Sequence, residues 1–246
     1  MKTLGEIMVV GLGSGSQASL TREACQALEE CDVIIGYKTY TAWIADITAG
    51  KKILSSGMRK EVDRCHQALE LAEAGYKVAL VSSGDPGIYG MAGLMLEVAQ
   101  KRNPRIPVRI VPGVTAASIA AAVLGAPLMH DFAVISLSDL LTPWEKIRTR
   151  LKLCAQADLI ICLYNPRSHS RTHQLTEAWH ILLEHKKPET PVGIVKNAGR
   201  SDQQSCLTDL ASMMSVDIDM STVIIIGNDS TYVADGKMIT PRGYAV

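Results

Sequence analysis

Short apolar runs alternate with amphipathic stretches along the first half of the chain. Each run is apolar without a polar face, which predicts strands buried on both sides. Four such runs lie at 6–11, 32–36, 77–83 and 108–111. Between them, apolar residues recur every three or four positions, which predicts helices at 21–30 and 59–75 and another marked by Ile88. Strands that alternate with helices indicate parallel β-α-β units.

In the second half of the chain the apolar runs are less regularly spaced than in the first half. Four of them are predicted strands: FAVISL (132–137), DLIICLY (158–164), PVGIV (191–195) and TVIIIG (222–227). An Ala-rich helix entered at Thr115 and helices at 143–156 and 171–186 are also expected. We therefore predict an α/β protein with a parallel-sheet N-terminal domain, 1–116, and a mixed-sheet C-terminal domain, 117–246.

The composition argues against a nucleic-acid-binding protein and against a membrane-spanning one. The 246 residues are 47% hydrophobic, and 25 basic residues balance 25 acidic ones, so no overall positive field attracts nucleic acid. The longest apolar run, 114–129, is interrupted by Gly125 and Pro127 and is too short to span a bilayer. None of the six cysteines forms a C-x-x-C pair, which is typical of reduced thiols in a cytoplasmic protein.

The sequence GLGSGS directly after the first strand resembles a dinucleotide-binding loop. The fingerprint of that loop is G-x-G-x-x-G, but Ser16 occupies the last glycine position. The fingerprint also needs an acid at the end of the second strand, whereas Asp32 begins that strand. A nicotinamide-dependent reductase is therefore disfavoured. A tight strand-to-helix turn without a ligand would also use these glycines.

Three other predicted strands end in unusual loops. Residues 83–87 are Ser-Gly-Asp-Pro-Gly, Pro112-Gly113 leads into the Ala-rich helix, and residues 164–166 are Tyr-Asn-Pro. Open parallel sheets bind ligands beyond the carboxyl ends of their strands, where helix N-terminal N–H groups are also available. Turn chemistry alone explains any one of these loops, but their order along the chain is specific.

Taken together, the loops resemble those of a known family, the tetrapyrrole (uroporphyrin-III/corrin) methyltransferases. The resemblance runs through GLGSGSQASLT, SSGDPGIYGMAG, VPGVTAAS, LYNPRS, VKNAGR and IIIGNDST. Within the family, GYKTY, GAPLMHDFAVISLSDLLTPW and MITPRGY resemble the branch that methylates C17 and contracts the ring during cobalamin synthesis. The sequence departs from the family at Ser14, which replaces the proline of the usual G-x-G-P-G loop.

The resemblance implies a two-domain fold with S-adenosylmethionine and a tetrapyrrole in the cleft between the domains. The positions that match the family's cofactor loops are Gly84, Asp85, Ile88, Thr115, Ala116, Leu163, Tyr164, Asn197 and Ala198. The first glycine loop, with Gly11, Gly13, Ser14 and Gly15, would line the tetrapyrrole side. Substrate carboxylates would pair with cations in or near the motif loops: Arg167 and Arg171, together with Lys38 and Arg59.

The implied chemistry is methyl transfer to carbon, which needs alignment more than acid–base help. Ring contraction, with loss of the C20 bridge and formation of a lactone, also moves protons. Candidate proton-transfer groups are Tyr37, Lys38, His130, Asp131 and Asp139, although each also suits a capping or hydrogen-bonding role.

No metal site is expected on the protein itself. His169 and His173 are four residues apart but have no third ligand nearby, so any cobalt would arrive within the substrate. The sequence leaves open whether that substrate is cobalt-loaded or metal-free. A non-catalytic corrinoid carrier is a third possibility, although its expected mark, damaged cofactor loops, is not seen. A homodimer is expected, since these folds often pair.

Overall fold

The computed structural model describes residues 4–168 and 171–245. The chain divides into two compact units, Met1–Ala116 and Ala117–Val246. In the described part of the chain no helix is long and apolar enough to cross a membrane.

The first unit alternates strands and helices, as the sequence predicts. Its strands are β1 (Glu6–Gly11), β2 (Val33–Tyr37), β3 (Lys52–Ser56), β4 (Lys77–Ser82) and β5 (Val108–Val111). Its helices are α1 (Arg22–Glu30), α2 (Lys38–Trp43), α3 (Glu61–Glu73) and α4 (Ala92–Arg102). The strands form one parallel sheet in the order β3-β2-β4-β1-β5. The carboxyl ends of all five strands therefore lie along one edge.

Both faces of this sheet are buried, which explains the apolar runs without polar alternation. Along β1, Ile7 and Val9 pack in one core cluster with residues of α3 and α4. Met8 and Val10 point to the other face and pack with residues of α1. Because both faces are covered, successive residues of the strand are equally buried.

Helix boundaries in this unit follow local chemistry. Helix α1 begins after Thr21, whose hydroxyl accepts a 3.0 Å hydrogen bond from the Ala24 amide. Helix α3 ends before Gly75, which has a φ of +101°. Of the apolar residues spaced by three and four that predict α3, Cys65, Leu69 and Ala72 are buried, but Val62 is half exposed. The helix that Ile88 was expected to mark begins four residues later, at Ala92.

The second unit contains helices on a mixed sheet. Its helices are α5 (Ala116–Leu124), α6 (Trp144–Gln156) and α7 (His173–Leu183). Its strands are β6 (Gly125–Ala126), β7 (Phe132–Ser136), β8 (Ile160–Tyr164), β9 (Pro191–Lys196), β10 (Gln204–Asp209), β11 (Thr222–Ile226), β12 (Tyr232–Ala234) and β13 (Lys237–Ile239). The main sheet has the order β10-β9-β11-β8-β7, and β12, β13 and β6 form a small separate sheet.

Strand direction decides which loops of this unit lie together. β7 and β8 are parallel, with Ser136 opposite Tyr164. β11 is antiparallel to both β8 and β9, so β8 and β9 run the same way. The carboxyl ends of β7, β8 and β9 therefore meet one edge of the sheet. One face of the sheet packs on α6 and α7, and on the other, Gly193 leaves room for Leu124 of α5.

Candidate active site

Three glycine-containing loops meet at the carboxyl edge of the first sheet. They follow β1, β4 and β5. The Gly13 amide donates to the Gly84 carbonyl at 3.1 Å, and the Gly84 amide donates back to the Gly13 carbonyl at 2.8 Å. A Cβ added to Gly11 would lie 2.6 Å from the Gly113 amide nitrogen, so only glycine allows this approach. The structure thus brings together three of the predicted motif loops.

Gly84 differs from Gly13 in the space beside it. Both have positive φ, +61° and +58°. A Cβ at Gly84 would meet nothing closer than 3.9 Å, where Thr115 and Ala116 begin the Ala-rich helix. A Cβ at Gly13 would lie 2.6 Å from the Ser19 carbonyl oxygen. A Cβ therefore fits beside Gly84 in ordinary van der Waals contact, whereas the space beside Gly13 is filled by Ser19 of the same loop.

Serine hydroxyls brace the first glycine loop around Ser14, the position at which the family that the sequence resembles has a proline. The Ser14 hydroxyl lies 2.8 Å from that of Ser19 and 3.0 Å from that of Ser16, and the Ser14 amide donates to Ser19 Oγ at 3.0 Å. Gly15, with a φ of +92°, lies directly against the indole ring of Trp43. The loop is therefore held by hydrogen bonds and ring packing instead of a pyrrolidine ring.

Asp85 holds two of the loops in place. Its Oδ1 accepts from the Gly87 amide at 2.8 Å, and its Oδ2 accepts from the Gly113 amide at 3.1 Å. Each oxygen keeps a second lone pair with which it could accept from a ligand. Ile88 follows in the same turn, donating its amide to the Asp85 carbonyl at 3.2 Å. Asp32, by contrast, accepts from the Lys77 amide at the amino edge of the sheet, opposite the edge where these loops lie.

In the second unit, Tyr164 connects the end of β8 to the first turn of α5. The Ala117 amide donates to the Tyr164 hydroxyl oxygen at 2.6 Å, which satisfies one of the free N–H groups of the helix. Asn165 has a φ of +50° and donates its side-chain amide to Ser136 Oγ at 2.9 Å. The Leu163 side chain is fully buried in the core, so only its backbone is available to a cofactor.

The loop after β9 is braced through the side chain of Asn197. Its amide donates to Asp202 Oδ2 at 2.7 Å, and its backbone has a φ of +52°. Just before it, the Lys196 ammonium lies 2.8 Å from Asp219 and 3.1 Å from Asp217. The side chain of Asn197 therefore shapes the loop, while Ala198 follows directly in the same turn.

A polar cluster lies behind Tyr164 and Asn165. Arg171 is only 5% exposed and donates from Nη2 to the Asn165 carbonyl at 2.6 Å. Burial lowers the pKa of Arg171, and the nearby Asp139 carboxylate opposes that shift. Asp139 itself accepts from Gln174 Nε2 at 2.8 Å. Arg167 has a buried Nε atom that finds no partner among the described residues.

Comparison with known proteins identifies the family. The family model for tetrapyrrole (corrin/porphyrin) methylases matches residues 6–213, which is most of the chain. The chain belongs to this family. It is 51% identical to the probable cobalt-factor III C(17)-methyltransferase of Salmonella typhimurium, covering 98% of this chain and all of that protein.

Two further relatives agree with this assignment. The cobalt-factor III methyltransferase of Priestia megaterium is 46% identical across 98% of this chain, which spans only 45% of that longer protein. The crystal structure of the methyltransferase CobJ matches with a TM-score of 0.90 and 38% identity, covering 96% of this chain and all of that one. The α/β fold is thus that of the tetrapyrrole methylases.

The predicted proton-transfer groups of this methylase lie in different parts of the fold. Tyr37 and Lys38 lie at the carboxyl end of β2, where the Tyr37 ring packs edge-on against Tyr40 at 5.2 Å. His130 and Asp131 are exposed and precede β7, about 13 Å of strand from the loops at its other end. The second unit therefore does not bring these two residues to its candidate loops, and Asp139 there is already engaged with Gln174.

No cluster of three metal-ligating side chains occurs among the residues that the structure describes. His169 lies outside those residues, and His173 begins α7. All six cysteines are free thiols. Burial raises the pKa of Cys65 and of Cys162 to about 12, so neither thiol is a nucleophile at neutral pH.

Proposed function

We propose that this methylase is an S-adenosylmethionine-dependent C17-methyltransferase of cobalamin biosynthesis. It methylates and ring-contracts cobalt-factor III (cobalt-precorrin-3) to give cobalt-precorrin-4. The observation that carries the choice of substrate is the 51% identity to the Salmonella relative over that protein's whole length. The family to which the chain belongs supports S-adenosylmethionine as the cofactor.

The cofactor site that we propose uses the positions matched by the family resemblance. They are Gly84, Asp85, Ile88, Thr115, Ala116, Leu163, Tyr164, Asn197 and Ala198. The lack of close contacts at Gly84 supports this assignment, since no atom lies closer than 3.9 Å to an added Cβ and a glycine lets a ligand approach the backbone. The two lone pairs left on Asp85 suit the amine or hydroxyl groups of such a ligand. Asn197 and Leu163 would contribute backbone groups, because their side chains are already engaged.

The bound cofactor supplies a methyl group on a positively charged sulfur. The protein's part is to align that group with the acceptor carbon, and alignment can lower the barrier by roughly 7–11 kcal/mol. Rigid loops serve this purpose, and the Gly13–Gly84 pair and the Asp85 bonds make the loops of the first sheet rigid. No dedicated acid–base pair is required for this step.

Substrate binding is assigned to the first glycine loop and to the cations near the end of β8. Gly11, Gly13, Ser14 and Gly15 present backbone to the tetrapyrrole. Arg167, whose Nε lacks a partner among the described residues, pairs with a substrate carboxylate. Arg171 is buried and bonded to the Asn165 carbonyl, so we assign it a supporting role. Tyr37 and Lys38 remain the candidates for moving protons during ring contraction.

Two measurements test this function. Titration calorimetry of the purified chain should show binding of S-adenosylhomocysteine and none of NADH; the opposite result would overturn the cofactor assignment. Rates with cobalt-factor III and with metal-free precorrin-3B, compared as kcat/KM, should favour the cobalt-loaded compound. A preference for the metal-free compound would assign the chain to that pathway instead. Binding of both ligands without turnover would indicate a carrier.

We further propose that the protein is a cytoplasmic homodimer. Six free cysteines suit a reducing compartment. Sedimentation equilibrium of the purified chain should give twice the monomer mass, and a single monomeric species would contradict the dimer.

A further inference from the structure

Two adjacent leucines in the segment that joins β7 to α6 are largely exposed to solvent. Leu140 is 71% exposed and Leu141 is 99% exposed. Exposure of two neighbouring large apolar side chains is unfavourable in water, and such a patch commonly marks a binding surface. The two residues form the leucine tip of this segment.

Hydrogen bonds hold the segment on both sides of the leucine tip. Leu137 is fully buried, and its amide donates to the Tyr164 carbonyl at 2.9 Å. Asp139, directly before the tip, accepts from Gln174 at 2.8 Å. After the tip, Trp144 donates from its indole nitrogen to Glu177 at 2.7 Å. The segment is therefore fixed on both sides while its leucines stay in solvent.

The position of the tip indicates what it binds. β7 and β8 are parallel, so the tip lies at the same sheet edge as Tyr164 and the segment that carries Arg167. The buried Arg167 Nε has no partner among the described residues. An apolar pair at the same sheet edge as a guanidinium complements a ligand with a broad apolar face and carboxylates around its rim. A tetrapyrrole has this distribution of groups.

We propose that Leu140 and Leu141 pack on the apolar face of the tetrapyrrole substrate, while Arg167 pairs with one of its carboxylates. This inference rests on the proposed function. A second copy of the chain is a poorer occupant, because two side chains supply far less than the roughly 1,000 Å² that a stable interface buries.

The test compares Leu141→Ser with Leu153→Ser. Leu153 lies on α6 of the same unit and is 58% exposed, so it controls for the loss of a surface leucine. Cobalt-factor III is titrated into each protein and followed by absorbance, and S-adenosylhomocysteine is titrated by calorimetry. Leu141→Ser should bind cobalt-factor III at least about tenfold more weakly than the wild type, as expected when a leucine loses its burial. Its affinity for S-adenosylhomocysteine should be unchanged, and Leu153→Ser should match the wild type for both ligands.

Equal affinity of Leu141→Ser and the wild type for cobalt-factor III would overturn the inference. In that case, light scattering shows whether the variant has lost self-association. Sedimentation with anionic phospholipid vesicles shows whether it has lost membrane binding. A wild type that does not bind cobalt-factor III at all would overturn the proposed function as well. The wild-type titration therefore separates the two failures.

Discussion

Gly13 and Gly84 exchange two backbone hydrogen bonds, of 3.1 and 2.8 Å, across the carboxyl edge of the first sheet. These two bonds join the loop after β1 to the loop after β4, although the two glycines are about seventy residues apart in sequence. A Cβ at Gly13 would strike Ser19, whereas one at Gly84 would meet nothing closer than 3.9 Å. Substitution at Gly84 is for this reason the cleaner probe of ligand binding.

Gly84→Leu should abolish binding of S-adenosylhomocysteine, because the new side chain fills the proposed cofactor space. Gly50→Leu is the matched control, since Gly50 has a φ of +82° and no atom within 4 Å of an added Cβ. Both variants should lose about 1–2 kcal/mol of folding free energy to left-handed strain. Calorimetry on proteins with native circular dichroism checks the prediction. Wild-type affinity in Gly84→Leu would place the cofactor elsewhere.

Tyr164→Phe should lower the free energy of unfolding by about 1 kcal/mol, because the Ala117 amide loses its acceptor. For a chain of this size the loss corresponds to a melting temperature lower by about 2–4 °C. Tyr244→Phe serves as the control, since Tyr244 is 78% exposed. Scanning calorimetry measures both variants, and equal melting temperatures would show that the Tyr164 bond contributes nothing to stability.

Asp139→Asn should leave the shape of the pH dependence of kcat/KM unchanged, with the rate falling at the same acidic and basic pH values as in the wild type. The reason is that Asp139 accepts from Gln174 and balances the buried Arg171, a role in positioning and not in proton transfer. The variant should still lose about 1–3 kcal/mol of stability, because the charge beside Arg171 is removed. Loss of one limb of the profile, at unchanged folding, would make Asp139 the acid–base group after all.

Asp219→Asn should destabilise the protein at neutral pH but not in acid. Partial burial alone would raise the pKa of Asp219, but hydrogen bonds from Lys196, Ser221 and Thr222 outweigh it and lower the pKa from 3.8 to about 2. A depressed folded-state pKa stabilises the fold above about pH 4, and the benefit is lost as pH falls toward 2. The difference in unfolding free energy between wild type and variant should therefore narrow over that range in urea titrations. A difference independent of pH would contradict the assignment.

The sequence predicts the buried strands well and the edge strands of the two main sheets poorly. The strands β1, β4, β8, β9 and β11 are buried apolar runs, so hydrophobicity alone finds them. β3 and β10 are edge strands with mostly exposed or half-buried residues, so they lack that signal. The short helix α2 was missed because its six residues span less than two turns. The late start of α4 follows from Tyr89, whose φ of +54° is not helical.

The candidate site was only partly predictable. The glycine loops were found because turn residues at strand ends have a recognisable chemistry. The engagement of Arg171 and Asn197 in internal hydrogen bonds depends on Asn165 and Asp202, and no spacing rule reveals those pairings. The sequence places Leu137 in a predicted apolar strand, but nothing in it shows that Leu141, four residues later, is 99% exposed.

The most direct test of the proposed activity is a single-turnover reaction with S-adenosylmethionine carrying an isotopically labelled methyl group. The purified chain is incubated with cobalt-factor III, and the tetrapyrrole is then analysed by mass spectrometry. We expect the tetrapyrrole to gain one labelled methyl and S-adenosylhomocysteine to form in equal amount, and only when the tetrapyrrole is present. A folded protein that leaves both cobalt-factor III and metal-free precorrin-3B unlabelled would contradict it.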